Sequence, residues 1–232
     1  MTGPHGHTGG PKPGSSLRGA LVTEALPFDG GRRLTIYVPT DPPTGIVYAA
    51  DGGWHTERLA GALEAAGPTS TVIVGVHGLD DDGARLQEYV ETFGGHRFHA
   101  FEQFFVHDVR TWVRSELDVA PVPGRTAICG ASLGGELALA LGLRHPDVYG
   151  TVLCASPGGG FGPPDADLSG RIPRTYLAGG RQEPWFLDNA RRWAEALGAS
   201  GADVVIEERD GEHGDPFWYD ELPLMVSWAF GR

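Results

Sequence analysis

Cysteine is almost missing from this chain: Cys129 and Cys154 are the only two in 232 residues. That excludes a disulfide-stapled scaffold and a thiolate metal cluster. Positive charge is scarce as well. Eighteen Lys and Arg face thirty Asp and Glu, a net charge of −12. Nucleic acid is therefore excluded as a partner, because phosphate binding needs clustered cations. The same imbalance works against anionic membrane surfaces. No apolar run approaches the roughly 18 residues that span a bilayer. The N-terminus carries no apolar segment of the secretory kind. These absences predict a cytoplasmic protein with no membrane or nucleic-acid partner.

What is present is ordinary for a globular chain: 41% hydrophobic and 21% charged residues, enough to bury a sizeable core. Residues 1–16, "MTGPHGHTGGPKPGSS", are rich in Gly, Pro and Ser and read as a disordered leader. One domain over residues 17–232 is expected. Both cysteines fall in apolar runs, "AICG" and "TVLCAS", and read as buried free thiols.

Strand-like and helix-like segments alternate. "SLRGALVTEALPF" and "GRRLTIYVP" flank the turn Asp29-Gly30-Gly31 and read as an antiparallel hairpin. "GIVYAADG", "TVIVGVHG", "RTAIC", "GTVLCAS", "RTYLAGG" and "ADVVIEER" are short apolar runs of the kind buried in parallel sheets. Helical periodicity covers about 56–66 and 101–117, the segment after Ser132, about 185–197, and the tail. There Asp215-Pro216 reads as an N-cap with a first-turn proline, and Pro223 as the restart of a helix. The alternation predicts an α/β fold: a mostly parallel sheet with an N-terminal antiparallel hairpin and helices on both faces.

Ligand sites in such sheets form at the carboxyl ends of the strands. The residues there include Asp51-Gly52-Gly53-Trp54, His77-Gly78, Gly130-Ala131-Ser132, Ser156-Pro157, Arg181-Gln182-Glu183 and Asp210-Gly211-Glu212-His213. A serine, an acid and a histidine stand in that chain order. Gly130-Ala131-Ser132-Leu133-Gly134 is a G-x-S-x-G motif between a strand and a helix, the setting of a nucleophile elbow. A serine hydroxyl needs a base. His213 follows the last strand in the Gly-flanked loop "DGEHGDP", where that base belongs. His55, His77, His96 and His99 are read in loops near strand ends, His107 on a helix surface, and His145 at a helix end. For the orienting acid, Glu183 lies about three residues past its strand. Asp188 and a Ser–His dyad with no acid remain open. Backbone N–H groups for an oxyanion are expected at Leu133 and, after the strand "GIVYA", at Gly53.

Several blocks resemble the esterase D and enterochelin-esterase-like family of α/β-hydrolases over about residues 30–230. They are Asp51-Gly52-Gly53, "RLQEY" (85–89), "FEQFF" (101–105), "GASLGGELALALGLRHPDVYG", "AGGRQEPWFLDNARRWAEAL" and "GEHGDPFWYDELPLMVSWAF". The resemblance implies the α/β-hydrolase fold, a Ser132–Glu183–His213 triad, a structural loop holding Arg85 and Glu88, and Tyr89 reaching the site. It implies ester hydrolysis through an acyl-enzyme on Ser132, without a metal or organic cofactor. Aryl, sugar or siderophore-type esters are the substrate classes. The segment "PGGGFGPPDADLSG" leaves little or no room for a cap, so an open site is expected, bordered by Trp54, His55, Trp185, Phe186 and Trp218. Transfer of the acyl group to another alcohol or amine, and a non-catalytic binding role on the same fold, are the alternatives.

Overall fold

Asp29, Gly30 and Gly31 all take positive φ (54°, 78° and 121°). Two glycines make that inexpensive, and the chain reverses there between β1 (Ala20–Leu26) and β2 (Arg32–Val38). The two strands pair antiparallel, Leu26 opposite Arg32 and Ala20 opposite Val38. The computed structural model describes residues 17–67, 69–117, 119, 122–163, 168, 170–214 and 216–231. The expected leader and the Asp215 cap lie outside these residues.

Six further strands complete the sheet: β3 (Gly45–Ala49), β4 (Thr71–Val76), β5 (Thr126–Ala131), β6 (Thr151–Ala155), β7 (Arg174–Gly180) and β8 (Val204–Arg209). Their order is β1-β2-β4-β3-β5-β6-β7-β8. The β1–β2 and β2–β4 pairs are antiparallel, and all the others are parallel. The central strands β3 and β4 are buried at every position. That is why they read as continuous apolar runs rather than alternating ones.

Helices cover both faces. On one, α1 (Gly52–Ala66) and α8 (Phe217–Phe230) pack over the side chains of Val47, Cys129, Leu153 and Ala155. The other face is covered by α2 (Asp82–Tyr89), α3 (Glu91–Gly94), α4 (His96–Gln103), a π-helical turn (Phe104–Asp108), α5 (Val109–Glu116), α6 (Leu133–Arg144) and α7 (Pro184–Ala199). Between Ser156 and Arg174 no helix or strand forms among the described residues.

Some expectations need correction. Helix α1 begins at Gly52, four residues before the expected start. Thus His55 lies on a helix rather than a loop, and so do His96 and His99. Pro223 does not restart a helix, because α8 runs through it unbroken. The "RLQEY" block is helical, not a loop: α2 carries it. Its Glu88 is fully buried and bonds both Arg32 guanidinium nitrogens on β2 at 2.9 and 2.7 Å. Periodicity alone gives no sign of a helix that turns a carboxylate inward.

Phe98, Phe101, Phe104 and Phe105 are all buried in the larger core. Phe101 also stacks on Tyr89 of α2, ring centroids 5.6 Å apart, so the aromatic cluster braces α2. Replacing Phe101 with Ala should cost about 3–5 kcal/mol, read as a lowered urea midpoint.

Candidate active site

At the end of β5 the chain must turn from strand to helix in one residue. Ser132 makes that turn with φ 55° and ψ −123°, a strained region for a residue with a Cβ. A Cβ on Gly130 would lie 2.0 Å from the carbonyl oxygen of Gly134. One on Gly134 would lie 2.8 Å from Asp51 Oδ2 and 3.1 Å from the Ala50 Cβ. The first glycine of the motif is therefore required by close backbone approach, and a side chain on the second would press on Asp51 and Ala50. The Ser132 N–H donates to Ala155 O at 3.0 Å, which ties the turn to β6.

His213 sits past β8 in a loop bounded by Gly211 (φ 155°) and Gly214 (φ 87°). Its Nε2 lies 2.9 Å from Ser132 Oγ, and its Nδ1 lies 2.5 Å from Glu183 Oε2. The ring is stacked on Phe186 (centroids 3.7 Å, 20°) and meets the edge of Trp218 (5.1 Å, 88°). Glu183 is buried just past β7. Its other oxygen accepts the Gly180 N–H at 2.7 Å and the Ser156 hydroxyl. Ser156 in turn accepts the Trp218 indole N–H at 2.8 Å. A buried carboxylate needs such donors to offset lost hydration. Asp188 is exposed on α7 and pairs with Arg191 at 3.0 Å, so of the two acids it is Glu183 that meets His213.

The first turn of α1 stands beside this elbow. Ala50 N–H bonds Cys129 O at 3.0 Å, and β3 runs parallel to β5. Gly53 and Leu133 thus occupy the first turns of two adjacent helices, where N–H groups lack intrahelical acceptors. Asp51, at φ 55°, ends β3 and opens α1. Its buried carboxylate is held by Arg85 at 2.7 and 2.5 Å and by the Tyr89 hydroxyl at 3.0 Å. Arg85 and Tyr89 are i and i+4 on α2 and share a face.

The residues expected at the substrate are placed differently from one another. Trp54 and Trp185 are exposed, at 59% and 60%. Trp54 lies over Arg85 and Trp185 against Phe186. His55 is half-buried and bonds the Tyr219 hydroxyl at 2.7 Å; burial pushes its pKa below the usual histidine value. Trp218 touches His213. Tyr89 does not reach the open site: it is fully buried, and its hydroxyl serves Asp51. Two contributors have roles that the sequence does not signal. Ser156 is one strand-end residue among several, yet it donates to Glu183, and Asp51 belongs to a Gly-rich turn, yet it holds Arg85. His145 bonds Glu102 at 2.8 Å, and His77 bonds Thr35 at 2.8 Å. No group of three or more metal-ligating side chains forms among the described residues. No helix among them is long and apolar enough to cross a membrane.

A hydroxyl bonded to an imidazole, itself bonded to a buried carboxylate, is an arrangement suited to nucleophilic acyl transfer. Comparison with known proteins identifies the family. The family model described as "Putative esterase" matches residues 28–196. No curated protein matches the chain. A ferulic acid esterase superposes with a TM-score of 0.69 at 16% identity, over 93% of this chain and 98% of its own. An S-formylglutathione hydrolase from Staphylococcus aureus gives 0.68 at 14% identity, over 94% and 98%. The enterobactin esterase of Shigella flexneri gives 0.69 at 18% identity; it is matched over 91% of this chain but only 58% of its own length. At such identities these structures establish the shared α/β-hydrolase fold, and the family match establishes the rest: the chain belongs to this esterase family and is an ester-hydrolysing enzyme.

Proposed function

We propose that residues 17–232 form one catalytic domain, a serine carboxylic-ester hydrolase that works through an acyl-enzyme on Ser132. The observation that carries this reading is the unbroken line of hydrogen bonds from Ser132 Oγ through His213 to Glu183. Ser132 Oγ attacks the ester carbonyl carbon while His213 Nε2 takes its proton. The tetrahedral oxyanion is met by the N–H groups of Gly53 and Leu133, whose helix N-termini favour negative charge. As the C–O bond to the alcohol breaks, His213 returns the proton to the leaving oxygen. Water, deprotonated by His213, then attacks the acyl carbon, and Ser132 recovers its proton. Glu183 holds the imidazole in the tautomer with Nδ1–H and stabilises it when charged.

The substrate is a small-molecule ester of aryl, sugar or siderophore type, taken up at an open cleft beside Trp54 and Trp185. The enzyme acts in the cytoplasm, in keeping with two free, buried thiols.

Purified protein should hydrolyse short p-nitrophenyl esters and be labelled by a fluorophosphonate at Ser132. Ser132→Ala should keep its circular dichroism spectrum and lose kcat by about 10⁴-fold or more. Labelling of a different residue, or an active Ser132→Ala, would refute the mechanism. Glu183→Gln should lower kcat by about 10³–10⁴-fold and Asp188→Asn hardly at all; equal, small effects would leave Ser132 and His213 acting as a dyad. Ser156→Ala removes one hydrogen bond to a charged group, worth about 1.5–3 kcal/mol. It should lower kcat by about tenfold or more with KM little changed, and an unchanged kcat would remove Ser156 from the relay.

A further inference from the structure

Directly behind the elbow lies an apolar recess, enclosed by the carboxyl ends of β3, β5 and β6 and by helices α1 and α8. Strand alternation puts Ala131 and Ala155 on the same face of the sheet, and they are register partners. Both are small, so the sheet side of the recess stays unfilled there. Leu59, Leu222 and Met225 close it from the helices. Its free volume is about 30 Å³. It is small enough that a single added methyl group on its walls would be felt.

The recess lies one residue from the elbow serine along the chain and shares an aromatic wall with the base. Gly130 and Ala131, which line it, immediately precede Ser132. Trp218, also lining it, touches His213 edge-on. Trp218 is pinned by its N–H bond to Ser156, and α1 is linked to α8 by the His55–Tyr219 bond at 2.7 Å. The walls are thus tied in place rather than free to spread. Burial keeps His55 below the usual histidine pKa, so the rim is uncharged at neutral pH. The Cys129 thiol in the lining is pushed up to about 12 by burial and stays neutral too.

We infer that this recess is the acyl pocket and that it selects esters of short, unbranched aliphatic acids of two to four carbons. The inference rests on the acyl-enzyme reading given above. An aromatic or sugar group belongs on the alcohol side, in the open cleft, so of the three classes above the recess favours aryl and sugar esters over a siderophore-type ester. A charged acyl group would lose its hydration among apolar walls with no partner. Each methylene that fits such a pocket changes kcat/KM by about 10–200-fold.

The test is a p-nitrophenyl ester series from acetate to octanoate, with fluorophosphonate labelling of Ser132 run in parallel. In the wild type kcat/KM should rise from acetate to butyrate and then fall by about tenfold or more at hexanoate. Ala155→Val adds two methyl groups to the recess. It should lower kcat/KM for butyrate about tenfold relative to acetate. Leu222→Ala opens the recess and should raise hexanoate about tenfold relative to acetate. The two variants act in opposite directions, so loss of stability cannot imitate both. A wild type that prefers octanoate, or ratios unmoved in both variants while Ser132 is still labelled, overturns the acyl pocket alone. No turnover of any ester and no labelling of Ser132 overturns the serine-esterase reading, and this inference with it.

Discussion

Gly130 and Gly134 approach so closely that no Cβ fits on the first, and Ser132 between them is driven to positive φ. The rest of the site is arranged around that one reversal. It lifts a side-chain oxygen above the end of β5 while α6 begins beneath it. It sets the Leu133 N–H in the first turn of that helix. It also brings Gly134 against Asp51, so the turn after β3 packs against the turn after β5. A strained residue persists only where its neighbours over-determine it. Here they do: the Ser132 N–H is held by Ala155 O, and its carbonyl accepts from Gly135 and Glu136.

Three buried acids then lock the loops around this point. Glu183 collects the Gly180 N–H, the Ser156 hydroxyl and the His213 ring. Asp51 collects Arg85 and Tyr89. Glu88 collects Arg32 and Arg97. Each carboxylate has given up water, so each must be met by several donors at fixed positions. The result is a chain of positional constraint. Glu88 docks α2 on the hairpin strand β2, α2 presents Arg85 and Tyr89, and these hold Asp51 at the head of α1. The Gly53 N–H follows from that placement. Such pairs contribute modestly to net stability, but a misplaced partner leaves a buried charge exposed to a large penalty.

His213 has no regular element to hold it. Its loop is fixed instead by what the ring touches: Glu183 at one nitrogen, Phe186 on a face and Trp218 at an edge. Phe186 comes from α7 and Trp218 from α8, so a short Gly-flanked loop is positioned by a helix far upstream and by the helix that follows it. Trp218 also lines the recess behind Ser132. The same indole therefore borders the base and the space assigned to the acyl group.

The sequence by itself determined the eight strands, the hairpin and the parallel sheet, because β-branched runs stopped by glycine have few other uses. It also determined where a serine, an acid and a histidine could meet, since strand ends in such a sheet face one edge. Only the tertiary structure decided which acid meets His213. Glu183 and Asp188 are five positions apart, and although the loop position of Glu183 favours it, spacing alone leaves both open; the difference is that one bonds Ser156 in the interior and the other pairs with Arg191 in solvent. It also decided that "RLQEY" is a helix, that Tyr89 serves Asp51 rather than the open cleft, and that α8 passes through Pro223. These outcomes depend on long-range partners. A buried carboxylate or hydroxyl takes whichever donor the fold brings to it, and the spacing of residues along the chain does not contain that choice.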